Sequence, residues 1–554
     1  MSQKIIYTPW KRLTEMLELD RKDVIQVFYY AIFAGAVSLS LPLGIQAIIN
    51  LIQGAQISSS WIVLVILVTL GTAFVGALQL MQFRIIENIQ QKIFTRASFE
   101  FAYRFPKIQL SELRNYYPPE LANRFFDTLT VQKGLSKILV DFPAALLQII
   151  FGLLLLSLYH PFFIAYGILL LLFLYLLFSF TAKRGMSSSL EESKNKYKVA
   201  HWIQEVARTV VSFKLSGKTS LALRKNDNLV VGYLGAREKH FKVLVIQFIQ
   251  LIGFKVLVTA GLLLIGGILV LNQEMNIGQF VAAEIIIIIV INSVEKLITG
   301  LETIYDVLTS LEKIGQVVDK ELEPQEGDTS FLNSDTLAIE LKEIGLEVPG
   351  KKLPILKDIN LDLKPGSRIW ITGENGSGKT TLLRVISGIV PPTSGQMFVN
   401  SVARSAIHLS KFRALVGQTL SEESPFEGTF LENITFGDPD ITRERVNWAI
   451  ENAGLMEFVK SLDDGIDTVL YPEGRQIPFT IGKKILLARA IVHAPKLLLL
   501  KDPLDHFKAE EARRLRAFLT DKSHPWTLVV VSQDEEWGEF CDTTLTMEKG
   551  AFKK

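Results

Sequence analysis

Apolar residues crowd the first 300 positions and then thin out. Six stretches, at about 24–51, 61–81, 140–159, 162–180, 244–271 and 277–298, carry few charges. Most of them reach the roughly 20 residues an α-helix needs to cross a hydrocarbon core of about 30 Å. The pattern predicts six transmembrane helices. Segments 82–139 and 181–243 are polar, helical in period and too long for simple loops. Spans two to five are therefore expected to continue as helices well past the membrane, with "YYPPELANRFFDTL" and "HWIQEVARTVVSFKLSG" near the bottoms of the hairpins. Short elements there could dock onto a cytosolic domain.

Loop charge orients the spans. "LIQGAQISSS", the "YHP" joint and "LNQEMN" contain no Lys or Arg, whereas the two long segments hold Arg84, Lys92, Arg96, Arg104, Lys183, Arg184 and Lys194. The basic side is expected to be cytoplasmic, and both termini with it. His160-Pro161 reads as a tight outer turn, with His160 not a ligand. The opening residues lack the apolar core of a cleavable signal. "PWKRLTEMLELD" fits either a short amphipathic helix at the membrane surface or a plain cytosolic leader.

Two charges fall inside spans. Glu284, in "FVAAEIIIIIV", is a functional candidate because a carboxylate there is costly. Lys255, in "LIGFKVLV", lies at a different depth, so it is expected to snorkel to the interface rather than pair with Glu284.

The character of the chain changes near 320. Residues 1–320 form the membrane domain. "DKELEPQEGDTSFLNSD" is acidic and turn-rich, and 321–336 read as a linker. From 337 to 554 short apolar strands alternate with helical patterns, as in an α/β domain. Composition agrees: 49% of the 554 residues are hydrophobic, with a mean hydropathy of +0.28. A net charge of only +2 gives no overall case for nucleic-acid binding. The single cysteine, Cys541, excludes an internal disulfide framework and reads as a buried, inert thiol.

Chemistry enters at "SRIWITGENGSGKTTLLRVISG". A strand-like run, Arg368–Thr372, meets a glycine-rich turn and then a helical run. Gly373, Gly378, Lys379 and Thr380 fit G-x-x-x-x-G-K-[ST]. Backbone amides of Gly373, Glu374, Asn375, Gly376, Ser377, Gly378, Lys379, Thr380 and Thr381 are expected to wrap a nucleotide's phosphates. Lys379 is expected to reach the β/γ-phosphates and the Thr380 hydroxyl to ligate magnesium. The fold expected is an α-helical membrane domain of six transmembrane helices followed by a C-terminal α/β P-loop nucleotide-binding domain.

With the spans and this loop in place, the chain resembles the ATP-binding-cassette exporters of half-transporter type over nearly its whole length. "VGQTLSEESPFEGTFLENITFG" looks like the family's glutamine-loop region, which places Gln418 at the residue that senses magnesium and the attacking water. "LLARAIVHAPKLLLL", "TLVVVSQ" and "MEKG" match later parts of the cassette. "YYPPELANRFF" and the membrane pattern are most similar to the protein- and peptide-exporting branch. The resemblance implies ATP and Mg²⁺ as cofactors, a second half-transporter as homo- or heterodimeric partner, contact with membrane lipid, a possible periplasmic adaptor, and a place in a bacterial inner membrane.

The departures from the family pattern fall on the chemistry. In "LLLLKDPL" Pro503 sets the register, leaving Lys501 where the family has an aspartate that helps hold magnesium. Asp502 stands where it has a catalytic glutamate. A unit charge about 5 Å from Mg²⁺ is repelled by roughly 7 kcal/mol at an effective dielectric near 20. Lys501 could swing to solvent, or sit against the phosphates and partly replace the metal's charge. Asp502 is one methylene short, and a displacement near 1 Å can cost about 100-fold where geometry decides rate. Gln533 replaces the switch histidine. Asp502, Gln533 and Gln418 are therefore the candidate catalytic residues of a weakened site, with Thr380 and Gln418 the candidate metal ligands. Val348 stands where an adenine-stacking tyrosine is usual, and Lys508 where the D-loop aspartate is. The signature motif is expected at Ile477–Ile481, with Pro478 and Phe479 spoiling it. A two-residue shift would instead let Thr480 cap the helix.

Two functions remain. One is an ATP-coupled exporter subunit with impaired hydrolysis of its own. The other is a non-transporting nucleotide-sensing membrane scaffold.

Overall fold

The computed structural model describes residues 8–53, 59–114, 116–350, 353–420 and 423–553. The chain forms two compact units. One comprises the residues up to Ile108 with Leu113–Glu321, and the other Gln109–Glu112 with the chain from Leu322 onward.

The first unit is helical. A short helix, α1 (Pro9–Glu18), has Thr8 as its N-cap, the hydroxyl accepting from the Lys11 amide, and Pro9 in the first turn. Its apolar side buries Leu13 among Val131, Val307, Leu308 and Leu311, and Arg12 grips Asp319 with both guanidinium nitrogens. The six long elements are α2 (Arg21–Gln53), α3 (Ser59–Arg104), a broken third ending in α4 (Asp127–Ser136) and α5 (Phe142–Tyr159), α6 (Phe162–Arg208), α7 (Leu221–Leu271) and α8 (Ile277–Val318). All six are long and apolar enough to cross a membrane. α3, α6 and α7 run 46, 47 and 51 residues, about twice the thickness of a bilayer core, as the polar continuations of spans two, four and five predict.

Apolar side chains such as Ile62, Leu67, Leu70 and Phe74 on α3 lie on the outside of the unit, as suits a helix whose solvent is lipid. Inside, α8 carries the packing, burying Ala282, Ala283, Ile286, Ile287, Val290 and Val294. Gly152 of α5 allows a close approach to α8, since a Cβ there would come 2.8 Å from Val290. Polar bonds tie the spans to one another. Tyr159 donates to Gln46 at 2.7 Å, Tyr166 to the Val258 carbonyl at 2.6 Å and Ser293 to Gln148 at 2.7 Å.

One sequence expectation changes here. Lys255 does not simply snorkel: its ammonium pairs with Glu295 at 2.8 Å. At about 1.5 Å per residue, Lys255 lies about 24 Å from the α7 end at Leu271, and Glu295 about 27 Å from the α8 start at Ile277. The depths match, whereas Glu284 lies too near the α7–α8 turn. Glu284 itself is exposed on α8. His160 sits in the expected tight α5–α6 turn, and its Nε2 lies 3.2 Å from Glu274 of the neighbouring α7–α8 turn.

The second unit is α/β. Its strands are β1 (Ile339–Leu346), β2 (Leu356–Leu363), β3 (Arg368–Thr372), β4 (Ser394–Val399), β5 (Val402–Ala403), β6 (Val416–Thr419), β7 (Gly428–Thr429), β8 (Val469–Leu470), β9 (Leu497–Lys501), β10 (Thr527–Val531), β11 (Thr543–Glu548) and β12 (Ala551–Phe552). An antiparallel sheet runs β2-β1-β4-β5, β7 and β8 form a small ribbon, and the main sheet runs β12-β11-β3-β10-β9-β6. From β11 to β6 the main sheet is parallel.

Parallel strands covered on both faces read as unbroken apolar runs, and "LLLL" shows why. Leu497 and Leu499 join the core on one face with Val529 and Val531. Leu498 and Leu500 join the core on the other with Leu528 and Val530. Three helices matter for the site: α9 (Lys379–Ile386), α10 (Phe479–Val492) and α11 (Ala509–Thr520).

Candidate functional site

The carboxyl edge of the main sheet gathers most of the residues singled out above, as open parallel sheets generally place their ligands. β3 ends at Thr372, and the chain turns through Gly373–Gly378 into α9. Glycine is required at two of these positions. Gly373 has φ +136 and a Cβ there would fall 2.1 Å from the Met547 carbonyl oxygen; Gly378 has φ +103 and its Cβ would meet the Ile355 carbonyl oxygen at 2.8 Å. The first-turn amides of α9 have no acceptor within the helix, so the loop is a concave array of donors.

Lys379 curls back onto this loop. Its ammonium donates to the Gly373 carbonyl, to the Glu374 carbonyl at 2.7 Å and to the Ser377 hydroxyl at 3.4 Å. Burial pushes it below the ordinary lysine range; Asp502 pulls it up and Lys501 pushes it further down. Gln533, just past β10, donates its amide to the same Gly373 carbonyl at 2.8 Å. Thr380 and Thr381 are half-buried at the start of α9, and Gln418 is half-buried on β6.

β10 lies between β3 and β9, and Lys501 is in register with Val531. Lys501 is therefore on the same edge as the loop, half-buried, with its charge felt by Lys379 and Asp502. A simple swing into solvent does not describe it.

Asp502 is held by its backbone. Its amide donates to the Val531 carbonyl at 2.8 Å and its carbonyl accepts from the Lys483 ammonium at 2.6 Å. Its φ of +42 is in the left-handed region, a strained choice for aspartate that clusters at functional positions. Burial pushes its carboxyl above the ordinary aspartate range, Asp505 adds to this, and Lys501, Lys483 and Lys379 oppose it.

α10 bears on the register of the spoiled motif. The helix starts at Phe479, with Pro478 as an N-cap that offers no side-chain bond. Thr480 lies inside the first turn and makes no cap, which favours the register with the motif at Ile477–Ile481 over the two-residue shift. Phe479 is 64% exposed, and its ring meets His506 edge-on at 5.5 Å. A cavity of about 430 Å³ opens between this turn and the end of β9, lined by Lys501, Asp502, Lys483, Phe479, Glu423 and Thr419. The buried Thr419 hydroxyl has no hydrogen-bond partner among the described residues.

Sequence reasoning missed Lys483 and Asp505. A lysine four residues into a helix carries no local signal, and its contact with Asp502 depends on how α10 lies against β9. Val348, the missing-aromatic position, is half-buried just past β1. Cys541 is half-buried and free; burial, then Asp542, pushes its thiol up to about 12, which keeps it inert.

Comparison with known proteins decides the family. Residues 24–294 match the ABC transporter transmembrane region, and residues 356–505 match the ABC transporter cassette family. This chain belongs to the ATP-binding-cassette transporters. It is a half-transporter: one six-helix membrane region joined to one ATP-binding cassette, and a multi-pass membrane protein.

A putative export ATP-binding/permease protein of Rickettsia bellii is 22% identical over 560 residues, covering 100% of this chain and 95% of its own length. An ATP-dependent lipid A-core flippase of Burkholderia orbicola is 28% identical over 280 residues, 50% of this chain and 47% of the flippase. The alpha-hemolysin translocation ATP-binding protein of Escherichia coli is 26% identical over 331 residues, 58% of this chain and 46% of that protein. The match thus spans about half the length of these last two relatives. A bacterial Atm1-family ABC exporter with ATP bound shares the fold at a TM-score of 0.84 and 15% identity, over 96% of this chain and 94% of its own.

Magnesium usually accompanies the nucleotide in this family, and at this edge Lys501 stands where the resemblance places an acid beside the metal. The neutral groups Thr380 and Gln418 remain, but an ammonium stands at 501 and the next carboxylate, Asp502, faces the charges of Lys501, Lys483 and Lys379.

Proposed function

We propose that this half-transporter is one subunit of a dimeric exporter in a bacterial inner membrane, with both termini cytoplasmic. It binds ATP on the Gly373–Thr381 loop and hydrolyses it poorly by itself. The proposal rests on one observation: β9 keeps its register beside β10 but ends in Lys501, where the family's chemistry calls for an acid. The Pro478–Phe479 start of α10 supports it from the other side, because a proline and an exposed ring hinder close backbone approach of a phosphate. Asp502 and Gln533 are the groups left to orient water, and Gln418 the polar group beside them.

In this reading ATP binding draws two cassettes together and the long helices carry the closure to the membrane spans. A partner cassette with intact acids supplies the turnover that resets the cycle. The membrane domain, residues 1–320, forms the transport path, and Glu284, exposed on α8, is the first intramembrane carboxylate to test in it. The relatives' functions, lipid A-core flipping and alpha-hemolysin translocation, make an amphiphilic or polypeptide cargo the class to test first.

The test is phosphate release by the full chain, alone, with candidate partner half-transporters, and as Lys501→Asp/Asp502→Glu. Weak turnover that rises in the double variant or with a partner is expected. Robust turnover by the unmodified chain alone would overturn the proposal. Nucleotide binding that no partner and no substitution converts into turnover would favour a nucleotide-sensing scaffold.

A further inference from the structure

We infer that the half-transporter binds its nucleoside triphosphate without a divalent cation, the Lys501 ammonium together with Lys379 supplying the neutralising charge. This rests on the reading of the Gly373–Thr381 loop as the nucleotide site.

The argument is geometric. β3 delivers the phosphate loop and β9 delivers Lys501 to one edge of the sheet, separated only by β10. Sheet neighbours are about 4.8 Å apart, so the ends of β3 and β9 lie roughly 10 Å apart, a gap that the Lys501 side chain and a bound phosphate would span together. Lys501 cannot be carried away from that edge by local slippage, because Asp502 is fastened on both sides of its peptide, to the Val531 carbonyl and to the Lys483 ammonium.

Charge counting points the same way. Lys379, Lys501 and Lys483 face Asp502 and Asp505 in one interacting group. Three ammoniums thus stand against two carboxylates, where an aspartate at 501 would have reversed the balance. A divalent cation would enter an already positive site whose other donors, Thr380 and Gln418, are neutral. A bare triphosphate brings the negative charge this group lacks. Lys379 now spends its donors on the loop's own carbonyls, and an incoming phosphate would exchange for them without any metal.

The test uses the full chain in detergent micelles and the fluorescence of trinitrophenyl-ATP, with excess EDTA or excess magnesium. Affinities in the two conditions are expected to agree within about threefold. Lys501→Asp is expected to lose at least about tenfold in EDTA, a loss of about 1.4 kcal/mol, and to regain it in magnesium. Lys501→Gln, which removes the charge with little change in shape, is expected to lose metal-free binding while melting at the unmodified temperature. If the unmodified chain binds the probe only with magnesium, the inference is overturned and the nucleotide site stands. If it binds in neither condition, and Lys379→Ala changes nothing, the nucleotide-site reading falls and the inference with it.

Discussion

Arg368 opens β3, the strand that delivers the phosphate loop, and its side chain is fully buried. Among the described residues its guanidinium meets no carboxylate. It donates instead to five carbonyls: Thr520 at 3.1 Å, Gly366 at 3.0 Å, Asp521 at 2.6 Å, His524 at 3.2 Å, and Trp526. Two of these acceptors lie at the carboxyl end of α11, where a cation also complements the helix dipole.

Consider Arg368→Met, which keeps much of the volume and removes every donor. Gly366, Asp521 and His524 lie at the surface or close to it, so their carbonyls regain water. Thr520 and Trp526 are buried, and each stranded acceptor costs about 1–3 kcal/mol. The lost packing of the stem and the uncapped helix end add to this, for an expected loss of about 3–5 kcal/mol. Hydrogen exchange on the full chain in micelles reads this locally, which suits a protein of two compact units. Amides of β3, α11 and β10 should lose about 10²- to 10⁴-fold in protection, with Arg368→Lys in between because one ammonium reaches only some of the carbonyls. A loss below about fivefold would show that these carbonyls are already hydrated and that the buried guanidinium is not what ties β3 to α11.

Other consequences are as open to measurement. Glu295→Gln leaves the Lys255 ammonium unpaired inside the spans, so the variant should lose about 1–3 kcal/mol, seen as a lower melting temperature in detergent. Lys255→Met/Glu295→Met should recover most of the loss, and equal melting of all three forms would dismiss the pair. Asp502 gives a pH signature. Its carboxyl is raised in the folded cassette, mainly by burial and then by Asp505. Folding therefore favours the protonated form below the ordinary aspartate range, and that contribution fades as pH rises through the folded value. Asp502→Asn should stabilise the cassette at neutral pH and lose its advantage towards pH 4; an advantage that grows in acid would contradict the burial argument.

The sequence by itself determined the elements whose signal is local and periodic. Six apolar stretches, the alternating pattern after 337 and the glycine–lysine loop were all readable, because hydrophobic length, strand period and left-handed backbone positions are properties of neighbouring residues. The replaced residues Lys501, Gln533 and Pro478 were visible too, since a resemblance exposes its own exceptions.

Only the tertiary structure decided what those residues touch. Lys255 found Glu295, forty positions along the chain, because α7 and α8 run antiparallel from a common turn and bring equal depths together. Gln533 and Lys379 converge on one carbonyl, and Lys483 clasps Asp502, because β3, β9, β10 and α10 end on one edge of one sheet. Arg368, a charged residue at a strand start, turned out to be among the most buried side chains of the cassette. No window of sequence contains its five partners, for they lie up to 158 positions away and meet only when the strand order closes.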